Sequence, residues 1–379
     1  MDFQLTSEHQ QRREEYRNFV QDHIKPQAGE TDRLKRFPRE IIQKMAAKGY
    51  MGLPLPQEWG GQGTDFLSYV LLIEEISKAC ASTGGILSVH TSVGTYPILL
   101  FGTSDQKEKY LTRLAKGEWL GAFALTEAQA GSDAGALSAT ATWDGENYRL
   151  NGTKLFITNG GEADLYTVFA KVDPEKGRKS ITAFLIEKDT PGLIIGKKEE
   201  KMGMNGSPTV ELILEDIVVP PANRLGAEGE GFTIALSLLD GGRIGIAAQA
   251  LGIATASLDY AVHFSSQREQ FGRKISDFQA VSFALADLAA RLEATKLMVY
   301  RAAWLKGIGE RCTREASMAK VMATDLAMDA STRAVSLLGG RGGTCDHPVE
   351  RYFRDAKVTQ IYEGTNQIQR LVIAREVLS

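Results

Sequence analysis

Residues 148–187, YRLNGTKLFITNGGEADLYTVFAKVDPEKGRKSITAFLIE, decide the fold class because they hold four short runs of β-branched and aromatic residues with no helical period between them. Asn-Gly pairs at 151–152 and 159–160, like Asp144-Gly145 just before, predict tight turns. The region from about Gly121 to Gly231 thereby predicts seven strands, namely Ala139–Trp143, Tyr148–Leu150, Leu155–Thr158, Leu165–Lys171, Ile181–Glu187, Thr209–Leu214 and Ile217–Val219. Seven short strands without intervening helices favour an antiparallel sandwich or barrel over a parallel doubly wound sheet.

Helical periodicity surrounds this β segment on both sides. Up to about residue 120, and again after residue 231, apolar residues recur at spacings of three and four. In the second region Ser276-Asp277 is a credible cap for a long helix from Gln279 to Lys306. The order predicts an α+β fold with a helical N-terminal domain (1–120), a middle antiparallel β-barrel or sandwich domain (121–231) and a C-terminal helical bundle domain (232–379).

The composition is that of an ordinary globular protein. The chain has 379 residues, with 44 basic and 47 acidic side chains and a formal net charge of −3, so nothing in it calls for nucleic acid or an acidic membrane. The N-terminus is polar from Met1 onward and lacks the basic and apolar regions of a secretion signal. The most apolar stretch, Ile244 to Leu258, is too short to span a bilayer. We therefore expect no membrane insertion and a cytoplasmic location, or the mitochondrial matrix for the mature form of a eukaryotic protein.

Cysteines and histidines give no sign of a metal centre. Cys80, Cys312 and Cys345 are far apart and in no metal-ligand spacing, so inert thiols are expected and a disulfide framework is not. The five histidines form no HExxH-like pair. We expect no metal site.

Nucleotide-binding motifs of the common kinds are also missing. No G-x-G-x-x-G follows a predicted strand, and no G-x-x-x-x-G-K-[ST] occurs. The run Gly339-Gly340-Arg341-Gly342-Gly343 has two interpretations. The favoured one is a helix C-cap and turn, and the other is a bare backbone surface that a diphosphate or adenosine can approach.

Four separated segments give a stronger signal because they occur together and in order. They are Leu125-Thr126-Glu127 with Ala130-Gly131-Ser132-Asp133; Phe156-Ile157-Thr158-Asn159-Gly160; Arg268-Glu269-Gln270-Phe271-Gly272; and Arg354-Asp355-Ala356-Lys357 leading to Ile361-Tyr362-Glu363-Gly364-Thr365. Across the whole chain they resemble the acyl-CoA dehydrogenase family, close to its butyryl-CoA and short-chain members. The helical, β, helical order of that family matches the pattern described above.

The resemblance implies that Glu363 is the catalytic base, which takes the α proton of an acyl-CoA thioester while the β hydrogen passes as hydride to N5 of FAD. Taken alone, Glu363 is more simply a solvated carboxylate before a helix from Gln367 to Leu378. That helix end lowers the pKa of a carboxyl group, whereas burial by an acyl chain raises it. We expect burial to prevail once substrate has entered.

Residues for the substrate follow from the same resemblance. Some relatives place the base on an internal helix beside an arginine, but Gly242 in the matching Leu239-Asp240-Gly241-Gly242-Arg243 has no side chain, which supports Glu363 as the only base. Asp240 and Arg243 resemble contacts to the CoA arm; the alternative is an exposed i, i+3 ion pair. The implied substrate-binding residues are Ser132, Asp240, Arg243, Tyr362 and Gly364.

The implied FAD site extends over several segments. Thr158 resembles the residue that points its hydroxyl at flavin N5, although on its own it is an ordinary strand threonine before a turn. The implied cofactor-binding residues are Phe123, Leu125, Thr126, Gly131, Ser132, Phe156, Ile157, Thr158, Arg268, Phe271, Gln279, Ser336, Gly339, Gly340, Thr365 and Gln367. Relatives usually have glutamine before the Gly-rich run and an aromatic residue after it. Ser336 and Thr344 stand there instead, and the shorter Ser336 is expected to reach less of the adenosine portion.

Partners also follow from the resemblance. Arg268 and Gln279 match residues that reach the FAD of a neighbouring subunit, so a homo-oligomer, most often a homotetramer in the family, is implied. The family passes its electrons to an electron-transfer flavoprotein. The expected activity is dehydrogenation of a short-chain or medium-chain acyl-CoA to a trans-2-enoyl-CoA. The alternatives are a branched-chain or alicyclic acyl-CoA substrate, or a catalytically silent assembly or binding protein with the same fold.

Overall fold

The computed structural model describes residues 4–378; Met1 to Phe3, the start of the polar N-terminal segment, and Ser379 lie outside the described residues. The N-terminal part is helical: α1 (Ser7–Phe19), α2 (Ala28–Arg33), α3 (Arg39–Ala47), α4 (Phe66–Ala79), α5 (Ala81–Val89), α6 (Tyr96–Phe101), α7 (Ser104–Gln106) and α8 (Thr112–Ala115). Helix α4 begins at a side-chain cap, since Asp65 accepts the Ser68 N–H at 2.8 Å.

The middle part is one connected sheet of eight strands: β1 (Gly121–Ala124), β2 (Thr140–Trp143), β3 (Tyr148–Thr158), β4 (Leu165–Lys171), β5 (Ile181–Glu187), β6 (Leu193–Lys198), β7 (Thr209–Val219) and β8 (Arg224–Leu225). Their order is β6-β7-β3-β2-β4-β5-β8, with β1 paired to β4. Most pairs are antiparallel as predicted, but β1 and β2 each pair with β4 in parallel.

Two predicted strand breaks are wrong, whereas two predicted turns are confirmed. Strand β3 runs through Asn151-Gly152 because a register shift beside Gly152 (φ 146°) absorbs the local bend. Strand β7 likewise runs through Asp216, which has a positive φ of 48°. The turns at Asp144-Gly145 and Asn159-Gly160 are present. Strands β1, β6 and β8 were not predicted.

The C-terminal part is a bundle of long helices interrupted by a small hairpin. Its elements are α9 (Gly231–Gln267), β9 (Glu269–Gln270), β10 (Arg273–Lys274), α10 (Gln279–Gly307), α11 (Thr313–Leu338), α12 (Val349–Thr359) and α13 (Asn366–Leu378). The predicted helix over 279–306 is confirmed. Its predicted cap is wrong, because Ile275–Asp277 forms a 3-10 turn and Phe278 occupies the N-cap position without a side-chain hydrogen bond.

Helix α9 is the axis of the protein. Its 37 residues are long and apolar enough to cross a membrane, yet 78% of the most apolar window is buried inside the protein. It packs against α4 and α5 of the N-terminal part and against α10, α11 and α12 of the C-terminal part. One core therefore joins both helical parts, with Leu72, Leu251 and Ala319 among its members, while the sheet has a second core around Leu150 and Leu212.

Candidate active site

Glu363 lies in the base loop, residues 361–365, which connects α12 to α13. Its backbone has a positive φ of 53°, and the next residue, Gly364, has a φ of 88°. A glutamate in this region is uncommon and persists only where surrounding contacts hold it. Gln369 provides two of these contacts, because its Nε2 donates to the carbonyl oxygens of Glu363 at 3.2 Å and Gly364 at 3.0 Å.

The carboxylate of Glu363 lies directly against helix α9. A Cβ atom built on Gly242 would approach Glu363 Oε2 to 2.7 Å, closer than real Cβ contacts allow. A side chain at position 242 would therefore displace the Glu363 carboxylate. Both of the positions that the sequence suggested for a base converge on one point in space, and only Glu363 supplies a carboxylate there.

Burial controls the charge state of Glu363. It raises the pKa of the Glu363 carboxyl, while the positive charges of Arg243 and Lys320 oppose this rise. The prediction that burial prevails once substrate has entered is wrong, because burial already prevails in the protein alone. The alternative of a solvated surface carboxylate is also wrong.

Asp240 and Arg243 form an ion pair at 3.1 Å, but not the exposed one that the sequence left open. The Arg243 side chain is 8% exposed and the Asp240 side chain 18%. Thr313 Oγ1 also donates to Asp240 at 2.7 Å. The buried Nε of Arg243 has no hydrogen-bond partner among the described residues, so it can donate to a bound ligand.

Tyr362 anchors the base loop to the helical core. Its hydroxyl donates to Gln249 Oε1 on α9, and Gln249 Nε2 donates to Ala81 O at 2.7 Å. Burial raises the pKa of the Tyr362 hydroxyl, so it remains a neutral donor. Sequence reasoning missed Gln249 and Lys320, since a lone glutamine and a lone lysine on helices carry no motif.

The first two motif segments meet beside the sheet. Leu155 N–H donates to Thr126 O at 2.8 Å, and Lys154 Nζ donates to Leu125 O at 3.3 Å. Lys154 also pairs with Glu127 at 2.7 Å, and both side chains are buried. This pair fixes the loop after β1 to strand β3.

The side chains of these two segments differ in how far they are exposed. Phe156 has a positive φ of 58° and a 61% exposed side chain, whereas Ile157 is 1% exposed and can offer a ligand only its backbone. Thr158 is half-buried at the end of β3. Gly131 faces open space, with no atom within 4 Å of a Cβ built on it. Next to it Ser132 is exposed.

Hydrogen bonds from Asn159 connect the end of β3 to the helices near Glu363. Asn159 Nδ2 donates to Ile86 O on α5 at 3.3 Å and to Gly121 O at 3.2 Å. Helix α5 packs against α9, which carries Gly242. Phe123, on β1 next to Gly121, is half-buried, and its ring packs against Phe169 with centroids 4.8 Å apart. The segments with Phe123 and Thr158 are thus connected to the helices around Glu363.

Residues 268–279 lie apart from this cluster. Arg268, Phe271 and Gln279 are all exposed, and Phe271 is 93% exposed with a φ of 52° at the tip of the β9–β10 hairpin. The hairpin is held by Phe278, over whose ring Arg273 stacks at 3.9 Å. Within one chain these residues do not join the Glu363 site.

The Gly-rich run forms the helix C-cap and turn that the sequence favoured. Gly339 is the C-cap of α11 with a φ of 59°, and Gly340 and Gly343 face open space. Ser336 and Thr344 are exposed, and each hydroxyl donates to a carbonyl of its own segment. The two remaining cofactor candidates lie at the start of α13: Thr365 Oγ1 accepts the Ile368 N–H, and Gln367 is exposed.

Within residues 4–378 no three His, Cys, Asp or Glu side chains are grouped to hold a metal ion. Cys80 and Cys312 are buried and Cys345 is exposed, all as free thiols.

Comparison with known proteins gives the family. Models of the acyl-CoA dehydrogenase N-terminal, middle and C-terminal domains match residues 6–118, 122–217 and 229–378.

The short-chain specific acyl-CoA dehydrogenase of Clostridium acetobutylicum is 49% identical over 377 residues, which cover 100% of both chains. Butyryl-CoA dehydrogenase from Megasphaera elsdenii has a solved structure with a TM-score of 0.98 and 46% identity, covering 100% of both chains. A chain in the structure of the electron transferring flavoprotein of Acidaminococcus fermentans, concerned with flavin-based electron bifurcation, matches with a TM-score of 0.98 and 50% identity over 100% of both chains. Three matched domains and full-length relatives near half identity show that the chain belongs to the acyl-CoA dehydrogenase family.

Proposed function

We propose that this chain dehydrogenates a short-chain acyl-CoA to the trans-2-enoyl-CoA with Glu363 as the base. The observation that carries the proposal is the Glu363 carboxylate, which lies against Gly242 on α9 and whose pKa is raised by burial. A desolvated carboxylate is a stronger base than a solvated one, and its protonated form is stable in a buried site. The α proton of the thioester therefore passes to Glu363.

The base loop also offers a donor for the negative charge that develops on the thioester oxygen. The Glu363 N–H donates to no acceptor among residues 4–378. This N–H and the carboxylate belong to the same residue, whose backbone has a positive φ. A preorganised donor of this kind stabilises an enolate-like oxygen without needing to reorient. Arg243 Nε, buried and without a partner, suits the CoA arm.

FAD is the cofactor that these residues fit. When bound, it supplies the two-electron acceptor for the β hydrogen. The two motif segments that meet beside the sheet are bordered by Phe123, Leu125, Thr126 and the backbone of Ile157. Gly131 and Gly340 leave room where a Cβ atom would otherwise project. Thr158 ends strand β3 beside them, and we assign its hydroxyl to the flavin N5 edge.

Three further features belong to the proposal. The exposure of Arg268, Phe271 and Gln279 supports their contribution to the FAD of a neighbouring subunit, in a homotetramer. The likeness to a chain of an electron transferring flavoprotein structure supports such a flavoprotein as the electron acceptor. A cytoplasmic location completes the assignment.

The proposal is tested by anaerobic bleaching of the bound flavin with straight-chain acyl-CoAs of increasing length. We expect the fastest bleaching with butyryl-CoA and a decline toward longer chains. Branched and alicyclic acyl-CoAs are run in parallel. A faster reaction with one of them would replace the straight-chain assignment, and no bleaching by any thioester would leave a binding protein as the remaining function.

A further inference from the structure

Helix α11 places a lysine beneath the base loop. The Lys320 side chain is 0% exposed, and its Nζ donates to Gly364 O at 2.9 Å and to Asn366 Oδ1 at 2.9 Å. Gly364 directly follows Glu363, so the ammonium group is bonded to the backbone of the residue next to the base. Burying a lysine ammonium group costs free energy of folding unless hydrogen-bond or charged partners compensate for the lost hydration.

A platform of polar side chains surrounds this contact. Asn366 Nδ2 donates to Thr324 Oγ1 at 2.9 Å and to Asp325 Oδ1 at 2.7 Å. Asp325 also accepts from Gln360 Nε2 at 2.6 Å. Thr324 lies one turn after Lys320 on α11 and Asp325 follows it, so this helix supports both ends of the loop.

The charges around Glu363 come from three helices and the base loop itself. Arg243 on α9 and Lys320 on α11 are positive, and Tyr69 on α4 and Tyr362 on the loop are neutral phenols. Arg243 is engaged by Asp240 at 3.1 Å, whereas Lys320 has only neutral oxygen partners at hydrogen-bond distance. Asp325 and Glu363 are the acidic groups that act on Lys320.

We propose that Lys320 is a positioning residue for the base: it fixes the Glu363–Gly364 loop through the backbone and keeps the Glu363 carboxylate ionised through its charge. This rests on the proposed role of Glu363. A hydrogen bond from a charged donor is stronger than a neutral one, so the loop is held most firmly while Lys320 is protonated.

The effect depends on pH in a defined direction. Burial lowers the pKa of Lys320 to about 7, with Glu363 and Asp325 opposing the decrease. Below this pH Lys320 is charged and favours ionised Glu363; above it the charge is lost, but Glu363 is then ionised by the high pH itself. Lys320 therefore matters most on the acidic side of neutrality.

The test compares Lys320→Met, which keeps the length but removes charge and donor, with Lys320→Gln, which keeps a shorter neutral donor. Both should fold, because Gly364 O keeps the bond from Gln369 and Asn366 Oδ1 keeps one from Thr324. We expect the acidic limb of the kcat/KM profile to move to higher pH in both, with activity about tenfold below wild type at pH 6, and the difference to shrink at pH 9. Lys44→Gln removes an exposed charge from α3 and should leave the profile unchanged.

The experiments distinguish a failure of this inference from a failure of the proposed function. Wild-type profiles in both Lys320 variants, or lower stability without a shifted acidic limb, would overturn the inference. A fully active Glu363→Gln variant would overturn the proposed function instead. Should neither Lys320 variant fold, NMR titration of the lysine side chain in the Glu363→Gln variant decides: we expect Lys320 to titrate at lower pH than in wild type, and an unchanged titration overturns the coupling.

Discussion

The base loop and the β9–β10 hairpin carry the two ends of the proposed site and are built in opposite ways. The positive φ angles at Glu363 and Gly364 are held by buried donors from α11 and α13. Those at Phe271 and Gly272 occur at an exposed tip, where the Phe271 ring is 93% exposed. The base loop, held within one chain, is the closed side, and the exposed hairpin is the open side. Variants on the two sides should therefore fail differently.

The largest effect should come from the closed side. Glu363→Gln keeps the size of the side chain but removes the basic oxygen, so we expect turnover to fall by about 10²–10⁴-fold. Flavin content should remain at the wild-type level because Glu363 is not assigned to the cofactor. Steady-state assays with butyryl-CoA and the visible absorbance of the purified protein measure both.

A pH effect on stability should follow from a buried histidine that lies outside both sides. Burial lowers the pKa of His90 to about 4, and its neutral ring accepts the Gly121 N–H at 3.1 Å. The unfolded chain binds a proton there below about 6.5, so this contribution is complete above pH 6.5 and declines toward pH 4. We expect a loss of about 3 kcal/mol at most over that range.

Denaturant unfolding at several pH values checks the His90 prediction. The slope of unfolding free energy against pH should flatten in His90→Gln. In the control, His263→Gln, it should stay as in wild type, because His263 is exposed. An unchanged slope in His90→Gln would assign the pH dependence to other groups.

On the open side, Arg268→Ala should weaken FAD binding and subunit association together. An arginine fork on a diphosphate makes charged hydrogen bonds, so a loss of about tenfold or more in FAD affinity is expected. Lys274→Ala removes a charge from the same exposed hairpin and should have little effect. Flavin titration and sedimentation measure the two properties, and loss of activity with normal flavin content would contradict the assignment.

The smallest effect should come from Gly242→Ala. The added methyl group would meet Glu363 Oε2 at 2.7 Å, so the carboxylate must shift by a few tenths of an ångström or more. We expect a several-fold decrease in kcat with normal folding, since misplacement of a base costs rate. Gly307→Ala, whose Cβ meets Phe66 at an ordinary 3.6 Å, is the matched control.

The sequence predicted the closed and open sides to different extents. Helix–sheet–helix order and the 279–306 helix follow from periodicity, and the Glu363 segment follows from its motif. The convergence of Gly242 and Glu363 is a long-range contact that no spacing reveals. Strand breaks at Asn151-Gly152 and near Asp216 were predicted wrongly because a bulge and a turn begin with the same residue types. Lys320 and Gln249 were missed because their roles depend on tertiary packing alone.

The shared helical core constrains how the chain acquires its structure. Helix α4 buries its apolar face against α9, which is synthesised only after residues 80–230 have been added to the chain. The sheet lies wholly within that interval and has its own core, so it can fold first. Helix α4 must therefore wait for α9 with apolar surface unpaired, which exposes it to aggregation during synthesis.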